Sequence, residues 1–176
     1  MADVVLVIDM VRGFVEQGHA LYFSEARRIV PTIARLLEAE QAKGSHILYL
    51  CDNHDPDDLE FRMFPRHCVA GTSETEVIPE LKKYRGEYIP KKRFSAFYGT
   101  KLGERLAQLK PDKVTVTGVC TDICVLHTVG DARDRDYEVD VPANCVATFD
   151  PEAHRFALKH MEKVLGARLI GEKVPA

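Results

Sequence analysis

The amino-acid sequence predicts a doubly wound α/β fold, with a mainly parallel central sheet and helices on both of its faces. The main observation is that apolar runs of strand length alternate with longer segments whose apolar residues recur at helical spacing. The second is the length of 176 residues, which suits one domain with a single buried core. No internal repeat, low-complexity tract or linker-like composition divides the sequence. We therefore expect one domain over residues 1–176, with the layering of Rossmann-type folds.

The first half of the chain predicts one βαβ unit followed by a long irregular segment. VVLVID (residues 4–9) is typical of a buried strand, the periodicity over residues 24–42 predicts a helix that ends at Gly44, and HILYLC (residues 46–51) predicts the next strand. From residue 52 to about residue 84 the sequence is polar and irregular. A loop of this length inside one domain usually carries function.

Strands and helices continue to alternate in the second half. Two of the helices have start signals, because Thr100 can cap one of them and Asp150 with Pro151 opens the other. The predicted elements are, in order, a strand EYIPK (87–91), a helix TKLGERLAQL (100–109), a strand KVTVTG (113–118), a helix over 124–133, a strand YEVDV (137–141), a helix over 151–163 and a last strand ARLI (167–170).

The charge distribution excludes several classes of partner. Acidic residues outnumber basic ones by 27 to 24 with the two signs interspersed, which provides no basic stripe for nucleic acid and no amphipathic face for a membrane. Apolar runs such as VVLVI are too short to span a bilayer, and the N-terminus lacks the pattern of a signal peptide. We therefore expect a cytoplasmic protein with a small-molecule partner, and the sequence leaves homo-oligomerisation open.

The cysteines predict free thiols rather than a disulfide framework, because their number is odd and the chain is large enough to fold without disulfide bonds. Two of them lie four residues apart in TGVCTDICVLHT, but the other three are scattered singly and offer no second pair for a structural zinc site. The pair therefore does not predict a zinc knuckle. The five cysteines are Cys51, Cys68, Cys120, Cys124 and Cys145.

Polar side chains follow several of the predicted strands, at the sheet edge where doubly wound folds bind their ligands. Each has an ordinary structural explanation when taken singly, such as a helix cap for an aspartate or a small buried side chain for a cysteine. Their convergence on one edge of one sheet favours a functional site. The residues are Asp9, Asp52, His54, Lys91 or Lys92, and the segment from Cys120 to Cys124.

The segment after KVTVTG also fits a nucleophile. A cysteine in the first turn of a helix gains thiolate stability from the helix dipole and the free backbone N–H groups, and the same N–H groups can hold an oxyanion. If the helix begins within residues 121–123, Cys124 lies in that first turn and Cys120 lies on the turn before it. The joints between strands and helices lack the glycines of a dinucleotide-binding fingerprint.

Three motifs, in order along nearly the whole chain, resemble the isochorismatase-like cysteine hydrolases: VLVIDM, KRFSAF followed by GT, and TGVCTDICV. The resemblance implies a catalytic triad of Asp9, Lys91 and Cys124. Lys91 is chosen over Lys92 because members of the family place this lysine four residues before the serine of the SAF segment. The resemblance also makes Cys124 the nucleophile, since the family does not require a cysteine at the position of Cys120.

The same resemblance implies acyl transfer through a thioester. Asp9 would take the thiol proton, Lys91 would stabilise the thiolate and restrain Asp9, and backbone N–H groups around Cys120 and Cys124 would stabilise the oxyanion. A non-proline cis peptide bond is expected between Val119 and Cys120, in the turn before the nucleophile. Isochorismate hydrolysis is disfavoured because the relatives that perform it lack the cysteine.

The long loop, DNHDPDDLEFRMFPRHCVAGT, narrows the resemblance to nicotinamidases. Carboxylates and imidazoles at this spacing suit a transition metal, although the composition alone is equally typical of a solvated loop. The D-x-H pattern followed by FPxH resembles the metal site of nicotinamidases, whose metal holds the pyridine nitrogen of the substrate. The implied ligands are Asp52, His54, His67 and Glu60, and the implied metal is zinc, with iron and manganese as alternatives.

Three aromatic residues match positions that line the substrate ring in nicotinamidases, namely Phe14, Phe64 and Phe94. A phenylalanine is more often a core residue than a substrate wall, so this assignment rests on the resemblance alone. The implied reaction is the deamidation of nicotinamide to nicotinate and ammonia, in the salvage and biosynthesis of pyridine nucleotides such as NAD.

Two other functions remain open from the sequence. A metal-independent amidase of the same superfamily, acting on a carbamoyl or ureido substrate, would keep the triad without needing the metal loop. A non-catalytic binding or redox-sensing protein would use an exposed Cys124 that is merely oxidised. Turnover measured with and without a chelator distinguishes the first alternative from a metal-dependent nicotinamidase. Ammonia release from a panel of small amides distinguishes an amidase from the second alternative.

Overall fold

The computed structural model describes residues 3–171, so the first two and last five residues of the expected domain lie outside the described part. The strands are Val4–Ile8 (β1), His46–Asp52 (β2), Glu87–Lys91 (β3), Val114–Val119 (β4), Val139–Pro142 (β5), Val146–Ala147 (β6) and Arg168–Ile170 (β7). They form one sheet in the order β3-β2-β1-β4-β5-β7, with β6 beside β4, and all of these pairings are parallel. The predicted doubly wound α/β fold is confirmed.

Helices cover both faces of the sheet. They are Arg12–Val15 (α1), Ser24–Arg28 (α2), Val30–Ala42 (α3), Pro79–Lys82 (α4), Leu102–Leu109 (α5), Leu126–Arg133 (α6) and Pro151–Lys163 (α7). Alternate residues of β1 point to opposite faces, so Val5 and Val7 pack with α1 to α4, while Leu6 and Ile8 pack with α5 to α7. Within residues 3–171, none of the helices is both long and apolar enough to cross a bilayer.

The structure corrects the predicted helix over residues 24–42. It is two helices, α2 and α3, which meet at Ile29. Pro31 explains the break, because proline has no N–H to donate to the carbonyl of Arg27 and its ring would clash there. The predicted helix over residues 100–109 begins two residues later, at Leu102, and its N-cap position is Lys101 rather than the predicted Thr100, whose hydroxyl accepts a hydrogen bond from Leu102 N at 3.1 Å.

The irregular segment after β2 contains short elements that the sequence pattern did not predict. They are 3₁₀ turns over Leu59–Arg62 and Ser73–Thr75, followed by the four-residue helix α4. The helix α1, also of four residues, was missed as well. Helical periodicity cannot show in elements this short, because they contain hardly more than one turn.

The two central strands approach each other closely at the edge that carries the polar residues. Gly118, near the end of β4, has a φ of 107°, and a Cβ there would lie 2.0 Å from the carbonyl oxygen of Ile8. Only glycine permits this approach. The next residue after β1, Asp9, has a φ of 53°, a left-handed conformation that aspartate tolerates better than most residues. The chain therefore turns off β1 directly beside the segment that follows β4.

Candidate active site

Four polar side chains meet at the carboxyl edge of the sheet. Asp9 follows β1, Asp52 and Lys91 are the last residues of β2 and β3 and are paired in register, and Cys124 follows β4. All four are buried, with Asp9 at 0%, Lys91 at 1% and Cys124 at 6% exposure. Parallel strands bring their ends to one edge, which explains how residues distant in sequence come together.

The ammonium group of Lys91 is the centre of this cluster. Its Nζ lies 2.6 Å from Asp52 Oδ1 and 3.0 Å from Asp9 Oδ2. It also lies 3.3 Å from Cys124 Sγ and donates to the carbonyl of Arg93 at 3.0 Å. A buried charge needs such compensation, and here one cation balances two carboxylates and faces the thiol. Lys92, by contrast, is exposed and pairs with Asp55 at 2.7 Å.

Asp9 is held as a carboxylate that can accept a proton. Its Oδ1 accepts a hydrogen bond from the backbone N–H of Asp52 at 2.9 Å, and its carboxylate oxygen lies within 4.8 Å of the Cys124 sulfur. Burial and the nearby Asp52 carboxylate raise the pKa of Asp9 to about 6, against the lowering effect of Lys91. A base of this strength is better matched to a neutral solution than an ordinary aspartate.

Cys124 lies in a π-helical turn, Thr121–Val125, which continues into α6. The predicted helix over 124–133 therefore begins three residues earlier, with a wider first turn. The peptide bond between Val119 and Cys120 is cis, as expected from the resemblance. The backbone N–H groups of Ile123 and Val125 both point to the carbonyl of Cys120, at 3.0 and 3.1 Å.

The thiol of Cys124 is protonated at rest. Burial raises its pKa well above the usual range, and the opposing effect of Lys91 is smaller. Desolvation therefore opposes the thiolate stability that the first turn of a helix was expected to provide. Attack by this sulfur requires a base within reach, and Asp9 is the carboxylate in that position.

A second cluster borders the first, on the loop that follows β2. His54 Nε2 lies 3.5 Å and His67 Nε2 3.6 Å from the same oxygen of Asp52, Oδ2. Glu60 Oε1 lies 3.9 Å from His54 Nε2. All four side chains are buried. The structure thus brings together every residue that the sequence predicted as a metal ligand.

The orientation of the two imidazoles fits a metal ion. His67 Nδ1 donates to the carbonyl of Pro65 at 2.6 Å, and His54 Nδ1 lies 3.0 Å from Asp58 Oδ2. Because both Nδ1 atoms face acceptors, the Nε2 atoms, which face Asp52, are the ring nitrogens available to a metal. His54 Nε2 is buried with no hydrogen-bond partner in the described part of the chain. An orphaned imidazole nitrogen beside two carboxylates suits a divalent transition metal.

The electrostatics of Asp52 reflect its position between the two clusters. Burial alone would raise its pKa, but Lys91 and the two imidazoles outweigh burial and hold the pKa of Asp52 well below its usual range. Its carboxylate is therefore ionised at neutral pH, with Oδ1 on Lys91 and Oδ2 facing the imidazoles.

An open cavity leads to both clusters, with about 520 Å³ of empty space that includes the adjoining open solvent. Its polar floor contains Asp52, Glu60, His67, Cys120 and Cys124. Its walls are apolar and mostly aromatic: Phe14, Leu21, Phe23, Phe64, Phe94, Ile123 and Phe149. No lysine or arginine within residues 3–171 lines the cavity.

The three predicted aromatic residues all line the cavity, but sequence reasoning missed four of its apolar residues, Leu21, Phe23, Ile123 and Phe149. Phe149 is 58% exposed and meets the ring of Phe23 edge-on at 5.9 Å, at the outer part of the cavity. Leu21 and Phe23 precede α2, Phe149 precedes α7 and Ile123 lies in the π-helical turn, and no local pattern marks them. Phe61 was missed too, although its ring contacts both imidazoles at 5.4 and 5.5 Å.

His154 is a further residue that the sequence did not single out. Its Nδ1 lies 2.8 Å from the hydroxyl of Thr121, the first residue of the π-helical turn. This contact joins α7 to the turn that carries Cys124. The five cysteines are all free and buried, as the sequence predicted for their redox state.

Comparisons with known proteins identify the family of this chain. Residues 3–171 match the family model of the isochorismatase domain. The structure of a nicotinamidase/pyrazinamidase from Bacillus subtilis is 34% identical with a TM-score of 0.91, covering 97% of this chain and 100% of that one. A pyrazinamidase of Pyrococcus horikoshii in complex with zinc is 28% identical with a TM-score of 0.89, covering 98% and 100%.

Relatives with other descriptions are also similar to this chain. N-carbamoylsarcosine amidase from Thermoplasma acidophilum is 33% identical with a TM-score of 0.87, covering 96% of this chain and 95% of that one. A protein of Arabidopsis thaliana described as a probable inactive nicotinamidase is 31% identical, over 97% of this chain and 90% of its own length.

Proposed function

This chain belongs to the isochorismatase family of hydrolases, and we propose that it is a cysteine amidohydrolase that converts nicotinamide to nicotinate and ammonia. One observation carries the proposal: a buried lysine contacts both a carboxylate and a thiol, and that thiol lies at the floor of an apolar, aromatic-lined cavity. A flat, neutral, aromatic amide matches the walls of that cavity. The similarity to the Bacillus subtilis nicotinamidase/pyrazinamidase supports the assignment.

In the proposed mechanism, Asp9 takes the proton of Cys124 as the sulfur attacks the carboxamide carbon. The ammonium group of Lys91 balances the negative charge that moves between the thiol and Asp9. Collapse of the tetrahedral intermediate breaks the C–N bond, and ammonia leaves with the proton from Asp9. Asp9 then accepts a proton from water as the water attacks the thioester, which releases nicotinate and restores the thiol.

The oxyanion of the tetrahedral intermediate forms beside the turn that carries Cys124. We propose that backbone N–H groups around Cys120 and Cys124 stabilise it, because both residues line the cavity. Cys120 lines the cavity but lies outside the network of Lys91, so its sulfur has no part in the bond-making steps.

We further propose that Asp52, His54, His67 and Glu60 hold a divalent transition metal. Zinc is the preferred ion, because imidazole and carboxylate ligands suit it and a similar pyrazinamidase binds it. When bound, such an ion supplies a Lewis acid that can hold the ring nitrogen of a pyridine amide. Asp52 would then serve both clusters, with one oxygen toward the metal and the other on Lys91.

A second candidate is an amidase that acts on a carbamoyl or ureido substrate, which the similarity to N-carbamoylsarcosine amidase favours. Sarcosine derivatives carry a carboxylate, and a cavity for one would usually offer a cationic partner. The cavity walls described above provide none. The cluster of imidazoles, with a buried nitrogen that has no hydrogen-bond partner in residues 3–171, also favours nicotinamide as the substrate.

Ammonia release tests the proposal. The purified protein is assayed with nicotinamide, pyrazinamide and N-carbamoylsarcosine, before and after metal removal with a chelator. We expect release from the two aromatic amides, loss of this activity with the metal, and an acyl adduct on the peptide that contains Cys124. Turnover of the carbamoyl substrate alone would support the second candidate. No release from any amide in the presence of zinc would support a non-catalytic protein.

A further inference from the structure

Asp58 occupies a buried position beside the proposed metal ligands, although the sequence DPDD is typical of a solvated loop. Its side chain is only 3% exposed. Oδ2 lies 3.0 Å from His54 Nδ1, and Oδ1 accepts from the backbone N–H of Glu60 at 2.9 Å. One carboxylate therefore fixes the ring of His54 and the start of the 3₁₀ turn that carries Glu60.

Arg93 clamps this carboxylate from the other side. Its Nη1 donates to both oxygens of Asp58, at 3.0 and 2.9 Å, and to the carbonyl of Lys92 at 2.6 Å. The backbone carbonyl of Arg93 in turn accepts from Lys91 Nζ at 3.0 Å. The side chain of Arg93 thus contacts the histidine loop, while its main chain contacts the lysine of the triad.

We propose that Asp58 and Arg93 form a positioning pair that links the orientation of His54 to the placement of Lys91. The proposal rests on the metal site of the proposed function. The chain of contacts runs from the imidazole through the Asp58 carboxylate and the Arg93 guanidinium to the Arg93 carbonyl and the lysine ammonium. Neither Asp58 nor Arg93 touches the cavity, so both act only through their neighbours.

The physical reason is the compensation of a buried charge. The Asp58 carboxylate is removed from water and accepts from His54, from a backbone N–H and from Arg93. Loss of the guanidinium leaves a buried carboxylate undercompensated, and the loop relaxes toward water to solvate it. That relaxation moves His54 and releases the segment whose carbonyl holds Lys91.

The chain offers a matched control for this pair. Lys92 and Asp55 form a second ion pair between the same two segments, with Nζ 2.7 Å from Oδ2. Both side chains are more than half exposed, at 54% and 58%, and within residues 3–171 neither forms a hydrogen bond or ion pair with the side chain of His54 or Lys91. Lys92→Ala removes one positive charge, as Arg93→Ala does, but leaves the contacts between Asp58, Arg93 and Lys91 in place.

The test uses the full chain and two readouts that do not depend on turnover. The first is the dissociation constant of Zn²⁺, measured by competition with a chromophoric chelator. The second is the rate at which iodoacetamide alkylates Cys124 in the zinc-free protein, followed by peptide mass spectrometry, because Lys91 lies against this sulfur. The variants are Asp58→Asn, Arg93→Ala, Arg93→Lys and the control Lys92→Ala.

We expect Asp58→Asn and Arg93→Ala to weaken zinc binding about tenfold, the lower end of the effect of removing a partner of a metal-ligating histidine. Both should also change the alkylation rate of Cys124, although Asp58 does not contact Lys91. Arg93→Lys should restore both values toward wild type, since a single nitrogen makes both contacts to Asp58. Lys92→Ala should leave both values unchanged. Asp58→Asn keeps an acceptor for Glu60 N–H, so the 3₁₀ turn should persist.

The outcomes separate this inference from the proposed function. If the wild-type protein binds zinc but Arg93→Ala behaves as Lys92→Ala does, the positioning pair is refuted and the metal site stands. Weakened zinc binding with an unchanged alkylation rate also refutes the link to Lys91. If the wild-type protein binds no zinc, the metal site of the proposed function is refuted and the pair loses its role with it.

Discussion

Replacing Lys91 with methionine tests whether one ammonium group supports both the fold and the reaction. Methionine has a similar length but no charge, so Lys91→Met leaves the carboxylates of Asp9 and Asp52 without their cation. Both carboxylates and the lysine are buried, and the two ion-pair distances are 3.0 and 2.6 Å. Removing one partner of a buried ion pair typically costs about 3–5 kcal/mol. Lys91 pairs with two carboxylates, but we expect the loss in free energy of unfolding to stay in this range, because protonation of Asp9 offsets part of it.

For a chain of this size, that loss corresponds to a fall in melting temperature of roughly 6–20 °C. The measurement is thermal unfolding followed by circular dichroism in the presence of a chelator, combined with the ammonia-release assay. Turnover should be lost as well, since Asp9 without Lys91 remains protonated at neutral pH and cannot accept the thiol proton. The control is Lys92→Met, whose exposed ion pair contributes at most about 1 kcal/mol.

A double variant sharpens this prediction. In the Lys91→Met background, Asp9→Asn removes one of the two orphaned carboxylates and should therefore raise the melting temperature. In the wild-type background the same substitution removes a partner of Lys91 and should not. The reasoning is refuted if Lys91→Met unfolds at the temperature of Lys92→Met, or if it retains turnover.

Five further substitutions test the other parts of the site. Cys124→Ala should abolish ammonia release while Cys120→Ala retains most of it, and equal loss in both would remove Cys124 as the nucleophile. Asp9→Asn should lower turnover about a hundredfold or more without unfolding the protein, as expected for a positioned base; a near-normal rate at neutral pH would assign activation to another group. His54→Ala should lose the bound metal and most nicotinamide turnover, as measured by metal analysis and ammonia release. Cys124 should still react with a thiol reagent in this variant. Full metal content in His54→Ala would contradict the proposed metal site. Burial lowers the pKa of His154 from 6.5, so the native state binds fewer protons than the unfolded state below that pH. In urea unfolding, the stability advantage of wild type over His154→Gln should therefore shrink as the pH falls. A difference in stability that stays constant with pH would contradict this.

The fold was accessible from the sequence because its central strands are buried on both faces. Such strands are near-continuous apolar runs, and VVLVI is fully buried as expected. The helices were predicted where several turns repeat one apolar face, as in α3 and α7. The break at Ile29 was missed because the apolar periodicity continues through it, although Pro31 was a visible signal. Elements of four residues carry too little periodicity to be recognised.

The residues of the candidate site also differ in whether the local sequence pattern could reveal them. Asp9 follows an apolar run, so its position at the sheet edge follows from the strand pattern itself, whereas Lys91 was chosen over Lys92 by the family resemblance. Asp58 and Arg93 gave no such signal, since a charged residue in a polar loop is usually solvated. Asp58 is buried only because His54 and Arg93, from segments on either side of it, supply partners for its carboxylate. A property that depends on a partner 35 residues away, as Arg93 is from Asp58, cannot be read from local composition. A substitution of Arg93, which lies on a separate loop, should therefore change the orientation of His54.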